Sequence, residues 1–391
     1  MSTERDKKGD ILLEMKDIRV EGFSDERWHK IIKGIDLTLH RGQVMGLIGE
    51  SGAGKSTLGL ASMGFTKPGC KITSGSIFFD GQDLIKANDE EKRMLWGTKI
   101  AYVAQSAAAS FNPAHRLLDQ TVEASLNRNL QTKSVAEADA RNLYEQLQLP
   151  DPNNIGDRYP HQVSGGQLQR MMTAMAMSPR PELIIFDEPT TALDVTTQVE
   201  VLVAMRNIVE KFNTAALYIT HDLAVVAQMA DVIKVLRYGH EVEEAKTREM
   251  LVSPKEDYTK SLWSVRSLEK PESPSDDFVI SINNVDAAYL GGSKVLHNVN
   301  IDIPRGRTVA VVGESGSGKS TTARVITGLL QPITGSVYFN GEALPPALKD
   351  RSKEQLRRVQ MIYQSADTAM NPRQTISEIV GRPLEFYHSL Y

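Results

Sequence analysis

Apolar and polar residues alternate along residues 11–20 and 31–39, the period of two that half-buried strands show. The pattern predicts an antiparallel strand pair at the start of the chain. Residues 44–48 and 183–186 are short, fully apolar runs, and 216–219 is another. Such runs predict strands buried on both faces. Residues 115–150, and 135–149 especially, are instead rich in helix formers, 168–177 is a helical run and 199–212 has helical spacing, which predicts helices. Strands alternating with helices predict an α/β fold with a mostly parallel sheet, to which the first strands add antiparallel structure.

The pattern then repeats. IDLTLHRGQVMGLIGESGAGKST at 35–57 returns as VNIDIPRGRTVAVVGESGSGKST at 299–321, and SGSIFFDGQDL at 74–84 as TGSVYFNGEAL at 334–344. Gln105 and Gln364 follow in order, each ahead of an Asn-Pro pair at 112–113 and 371–372. So long a period implies two copies of one domain. Residues 267–277 are polar, carry two prolines and lack any apolar period, which predicts a linker. The expected division is a first domain at 1–266, the linker at 267–277, and the N-terminal half of a second domain at 278–391.

Composition narrows the classes. The 391 residues are 41% hydrophobic and 24% charged with a net charge of -4, ordinary values for a globular protein. That balance gives no support to nucleic-acid binding or a polybasic membrane anchor. Cys70 is the one cysteine; an intrachain disulfide and a cysteine-rich metal site are excluded, and a buried inert thiol is expected. No apolar run approaches the roughly 20 residues of a membrane-spanning helix, and the charged first ten residues lack the apolar stretch of a signal peptide. A cytoplasmic protein with a frayed N-terminal tail is expected.

Residues 49–57 fit GxxxxGK[ST] between a predicted strand and a predicted helix, the context that gives this pattern meaning. Gly49, Ser51, Gly52 and Gly54 let backbone N–H groups wrap phosphates. Lys55 can reach the β- and γ-phosphates, Ser56 can ligate Mg²⁺, and Thr57 completes the loop. Gly313, Ser315, Gly316, Gly318, Lys319, Ser320 and Thr321 form a second such loop, expected to follow a strand as well. Asp187 and Glu188 end an apolar strand. They read either as a solvated acidic turn or as an Mg²⁺-holding and a water-polarising carboxylate; the phosphate loop in the same chain favours the second. Ser164, Gly165, Gly166 and Gln167 open a helix and suit either an anion site or a plain N-cap. Met171, Met172, Met175 and Met177 read as helix packing.

The order of phosphate loop, Gln105, residues 164–167, Asp187-Glu188, Asp194 and His221 resembles the nucleotide-binding domain of ATP-binding cassette (ABC) proteins. The resemblance covers the first domain and the first half of the second. It implies a phosphate-loop NTPase core with an antiparallel β subdomain and an α-helical signature subdomain, binding ATP with Mg²⁺. It gives Glu188, His221 and Gln105 catalytic roles, with His221 as the switch on the γ-phosphate. It makes Ser56, Gln105, Asp187, Ser320 and Gln364 metal contacts, 164–167 a signature facing another domain's ATP, and Asp194 part of a coupling loop. Residues 105–113 and 364–373 look like the loop extension of importers for oligopeptides, dipeptides, glutathione or nickel, and 254–259 resembles a segment that follows the core in those ATPases. The cysteine cluster of many members is missing, so no iron–sulfur cluster is expected. The implied assembly has two membrane permeases and an extracytoplasmic substrate-binding protein, with the ATPase peripheral on the cytoplasmic face of the bacterial inner membrane. Soluble ABC proteins of translation or DNA repair are the alternative; the short linker and single cysteine speak against them. Tyr289 is the expected adenine-stacking aromatic of the second domain. The matching column in the first falls on Gly22, leaving Phe23 and Trp28 as candidates, or as hairpin packing. No second signature, Asp-Glu pair or matching switch histidine follows Gln364, so an isolated monomer is expected to bind nucleotide and hydrolyse it poorly.

Overall fold

The computed structural model describes residues 9–190, 195–264, 277–314, 316–363 and 369–388. The chain forms two compact units, residues 1–269 and 270–391. In the first unit β1 (Ile11–Ser24) and β2 (Arg27–His40) form a long antiparallel hairpin. Asp25 and Glu26 turn it, both at positive φ, as a two-residue hairpin turn requires. With β4 (Cys70–Phe79) and β5 (Gln82–Asp83) the sheet order is β2-β1-β4-β5. Leu13, Met15, Ile35, Leu37 and Leu39 point into the core, so the alternation in the sequence is the alternation of the sheet's two faces.

The second sheet has the order β10-β9-β3-β8-β7-β6. It comprises β3 (Val44–Ile48), β6 (Ile100–Val103), β7 (Leu183–Asp187), β8 (Ala215–Ile219), β9 (Val232–Arg237) and β10 (His240–Lys246). All its neighbours run parallel except β10, which is antiparallel to β9. Its central strands are buried on both faces. Val44, Ile184, Phe186, Ala216 and Tyr218 belong to one core cluster, while Met45, Leu47, Leu183, Ile185 and Leu217 belong to another. Gly46 is needed in β3 because a Cβ there would lie 2.0 Å from Val226 Cγ2.

Helix α1 (Lys55–Ala61) follows β3, and α2 (Asp89–Leu95) precedes β6. A helical layer holds α3 (Ala107–Ser110), α4 (Leu117–Asn127), α5 (Lys133–Gln146) and α6 (Gly165–Met177). Then come α7 (Val195–Lys211), α8 (Leu223–Met229), α9 (Thr247–Val252) and α10 (Asp257–Ser264). The methionines of α6 pack as expected: Met171, Met172 and Met177 are buried and Met175 lies against the same core.

The second unit repeats the first sheet: β11 (Phe278–Ala288), β12 (Lys294–Pro304), β13 (Thr334–Phe339) and β14 (Glu342–Ala343) lie in the order β12-β11-β13-β14. Helices α11 (Lys319–Ile326), α12 (Lys353–Arg358) and α13 (Ile376–His388) accompany it.

Two expectations need correction. Residues 308–314, ahead of the second phosphate loop, are not a strand, and Val309, Val311 and Val312 are exposed. In the first unit β3 exists because β8 and β9 bond both its edges, and the 391 residues hold no second copy of 183–237. Cys70 is half-buried, because the 70–76 end of β4 leaves most of its residues outside the core. Linker residues 267–276 and Asp194, Ser315 and Gln364 lie outside the described residues.

Candidate functional site

The first phosphate loop runs from the end of β3 into α1. Gly49 sits at φ +153, and a Cβ there would be 2.2 Å from the Leu236 carbonyl oxygen. Gly54 sits at φ +97 as the N-cap of α1, where a Cβ would meet Ile32 Cδ1 at 2.6 Å. Side chains are thus excluded by space and by backbone conformation. The loop curls around its own lysine: Lys55 Nζ donates to the Gly49 carbonyl at 2.8 Å and the Glu50 carbonyl at 2.9 Å. Burial pushes the Lys55 ammonium below the ordinary lysine value, against the opposing pull of Glu188 and Asp187.

Three strand ends converge on this loop. Asp187, the last residue of β7, accepts Ser56 Oγ at 2.8 Å on one oxygen and the Tyr102 hydroxyl at 2.6 Å on the other. Burial, and then the bond to Asp187, push the Tyr102 hydroxyl far above the usual tyrosine range, so it remains a donor. Glu188 follows at φ +48, a left-handed conformation uncommon for a residue with a side chain. Its carboxylate takes the Gln105 amide at 3.3 Å and lies 3.2 Å from His221 Nδ1. β8 delivers His221 because Glu188 N–H bonds the Ile219 carbonyl and Thr220 N–H the Leu47 carbonyl. Lys55, Ser56, Gln105, Asp187, Glu188 and His221, scattered over the sequence, therefore form one cluster. Its hydroxyl, carboxylate and amide oxygens are hard donors, the set that suits Mg²⁺.

Residues 164–167 form a separate patch. Ser164 caps α6: its hydroxyl accepts the Gln167 N–H at 3.3 Å, and Gln167 Oε1 accepts the Ser164 N–H at 3.1 Å. Ser164 and Gly165 are exposed. One link ties this helix to the cluster, since Gln169 Nε2 donates to the Ala104 carbonyl, next to Gln105, at 3.3 Å. Ser106 caps α3 and Gln120 brackets the Asn112 backbone, which leaves Ser110 on the surface.

The second loop copies the first. Gly313, Gly316 and Gly318 have φ +152, +86 and +99, against +153, +82 and +97 at Gly49, Gly52 and Gly54. Lys319 Nζ donates to the Gly313 and Glu314 carbonyls at 2.7 and 2.6 Å. Tyr289 stands beside it, its hydroxyl 3.2 Å from Thr321 Oγ1. In the first unit the strand register places Gly22 opposite His29 and Phe23 opposite Trp28. The two aromatic rings face each other at 5.3 Å, with Lys71 Nζ 3.7 Å above Trp28, so this pair packs across the hairpin tip.

Sequence reasoning missed two residues at the site, Tyr102 and Tyr258. The first sits in the apolar run of β6, where one aromatic carries no signal. The second lies in the 254–259 segment that drew notice only as a resemblance.

Comparison with known proteins bears on the family and the fold. The family described as ABC transporter matches residues 32–191 and 296–387. The chain is 31% identical to an uncharacterized ABC transporter ATP-binding protein, YejF of Escherichia coli, over 96% of this chain and 73% of that relative. It is 32% identical to the glutathione import ATP-binding protein GsiA of Pectobacterium atrosepticum, over 90% of this chain and 64% of that one. The Escherichia coli GsiA is 28% identical over 96% and 67%. In fold, the chain matches a dimeric ATP-binding cassette in a post-hydrolysis state with ADP and Pi, at a TM-score of 0.55 and 23% identity, covering 61% of this chain and 99% of that one. Among the described residues no helix is long and apolar enough to cross a membrane.

Proposed function

The chain belongs to the ABC transporter family as one of its ATPase components, and from that premise we propose that it energises a bacterial importer of peptides. Glutathione, nickel or another small solute is the nearest alternative cargo, and the relatives named for glutathione import support an importer. Two permeases and an extracytoplasmic binding protein are the proposed partners, with this subunit peripheral on the cytoplasmic face of the inner membrane.

The observation that carries the reading is the Glu188 carboxylate, held between Gln105 and His221 beside the lysine of a phosphate loop. A carboxylate with an amide and an imidazole on its two oxygens can accept a proton from a water and orient it. Lys55, already inside the loop, exchanges its bonds to the Gly49 and Glu50 carbonyls for phosphate oxygens. Gly52, Gly54, Lys55, Ser56 and Thr57 offer N–H groups at the start of α1. Ser56 and Asp187 would hold Mg²⁺, which supplies positive charge against the β- and γ-phosphates. His221 contacts the γ-phosphate and reports its loss through Glu188. Gln105 joins this chemistry to the surface segment 105–113, where a permease loop would sit. Lys319, Ser320 and Tyr289 are proposed to hold a second nucleotide, and residues 164–167 to act on ATP held by another cassette domain.

The test is coupling. In vesicles holding the chain with its proposed partner permeases, Ser110→Cys is expected to cross-link to a permease cytoplasmic loop, and ATP to change the yield. An intact complex without that cross-link would count against the importer reading.

A further inference from the structure

Glu50 of the phosphate loop is held through its backbone from two sides. Its carbonyl accepts Lys55 Nζ at 2.9 Å and the Ala53 N–H at 3.1 Å. Its N–H donates to the hydroxyl of Tyr258 at 3.3 Å, a residue far along the chain on α10. On the carbonyl side the lysine bond is temporary, because the mechanism above sends Lys55 to phosphate, and the Ala53 bond stays within the loop. The hold on the N–H comes from outside the loop and remains when the lysine leaves.

Tyr258 is itself firmly placed. The Arg237 guanidinium carbon lies 4.4 Å from its ring centroid, and Arg237 ends β9, the strand that flanks β3. The Glu243 carboxylate accepts the N–H groups of Lys255 at 2.9 Å and Glu256 at 3.1 Å, fixing the entry into α10 as an acidic side chain fixes any helix start. Leu262 and Trp263 of the same helix pack against the core cluster under the sheet. Three independent anchors therefore deliver one hydroxyl to one loop amide.

We infer that Tyr258 is a positioning residue for the first nucleotide site: its hydroxyl holds the Glu50 peptide so that the phosphate loop keeps its shape when Lys55 turns to ATP. The inference rests on reading residues 49–57 as the phosphate-binding loop. It gives the segment after the catalytic core a task at the site.

Tyr258→Phe in the full chain keeps the ring over Arg237 and removes only the hydroxyl. Without nucleotide, amide hydrogen exchange across 49–54 is expected to rise. With ATP, KM is expected to rise about three- to tenfold with kcat within about twofold, the size of one hydrogen bond. Wild-type exchange in the loop together with a wild-type KM would overturn the inference. So would a change confined to α10's own exchange or to the melting temperature, which would leave Tyr258 as packing alone. The nucleotide-free arm is separate from the ATP reading: if Lys55→Ala failed to weaken ATP binding, that reading would fall while the exchange result stood.

Discussion

Ser56 and Asp187 meet in a 2.8 Å hydrogen bond although they belong to different elements, the helix after the phosphate loop and the end of β7. Tyr102 occupies the other Asp187 oxygen, so the carboxylate is fixed from both sides before any ion arrives. Partners of this kind set the affinity of a metal site.

Tyr102→Phe is therefore expected to weaken divalent-ion binding about tenfold while leaving the fold intact. Mn²⁺ titration followed by electron paramagnetic resonance, with a non-hydrolysable ATP analogue present, reads this directly. An unchanged Mn²⁺ affinity would show that Asp187 needs no help from β6.

Lys55 is expected to be indispensable. Its ammonium is buried inside the loop, so Lys55→Ala removes the cation proposed to meet the β- and γ-phosphates. ATP turnover should fall about a hundredfold or more. Turnover at the wild-type rate in a steady-state assay would sink the assignment of this loop.

Gly46→Ala tests the packing that holds β3 in place. The added methyl would lie 2.0 Å from Val226 Cγ2 and 3.0 Å from Ala230 Cβ, so α8 must move away from the sheet. Overpacking of this kind costs about 1–3 kcal/mol. Thermal unfolding should show a lower Tm, and because α8 follows His221, ATPase activity should fall with it.

Glu243 supplies a pH prediction. Burial acts to raise its carboxyl, but the N–H groups of Lys255 and Glu256, with Thr259 and the Lys255 charge, outweigh it and hold the group below the usual glutamate value. A carboxyl depressed on folding contributes stability that is complete above the unfolded value and lost as pH falls through the folded value. Exchange protection of α10 should thus hold at neutral pH and decline below the ordinary glutamate value of 4.5. Glu243→Gln should lose protection already at neutral pH. Acid-independent protection in the wild type would contradict this.

Much of this was legible in the sequence because it was local. The alternation in 11–20 and 31–39 became β1 and β2, and the apolar runs became β3, β7 and β8, since strand period and double-sided burial are written in consecutive residues. The phosphate loops were readable because glycine at positive φ and the adjoining lysine form one short pattern. Long-range dependence was not readable. Residues 309–312 look as much like a strand as 44–48 do, yet they pair with nothing among the described residues, because a central parallel strand exists only through its neighbours. Tyr102 and Tyr258 escaped notice for a related reason: a tyrosine hydroxyl gains meaning from the atom it touches, Asp187 in one case and the Glu50 amide in the other. Cys70 was misjudged because residue type says little about a strand end that projects past the core.

The central claim is that Glu188 is the carboxylate that activates water for ATP hydrolysis. Single-turnover hydrolysis with the chain in excess over radiolabelled ATP measures it most directly, comparing the wild type with Glu188→Gln. The substitution keeps the shape and the contact with Gln105 but cannot accept the proton. Hydrolysis should slow about 10²–10⁴-fold while ATP remains bound. A single-turnover rate near the wild-type value would show that another group does this work.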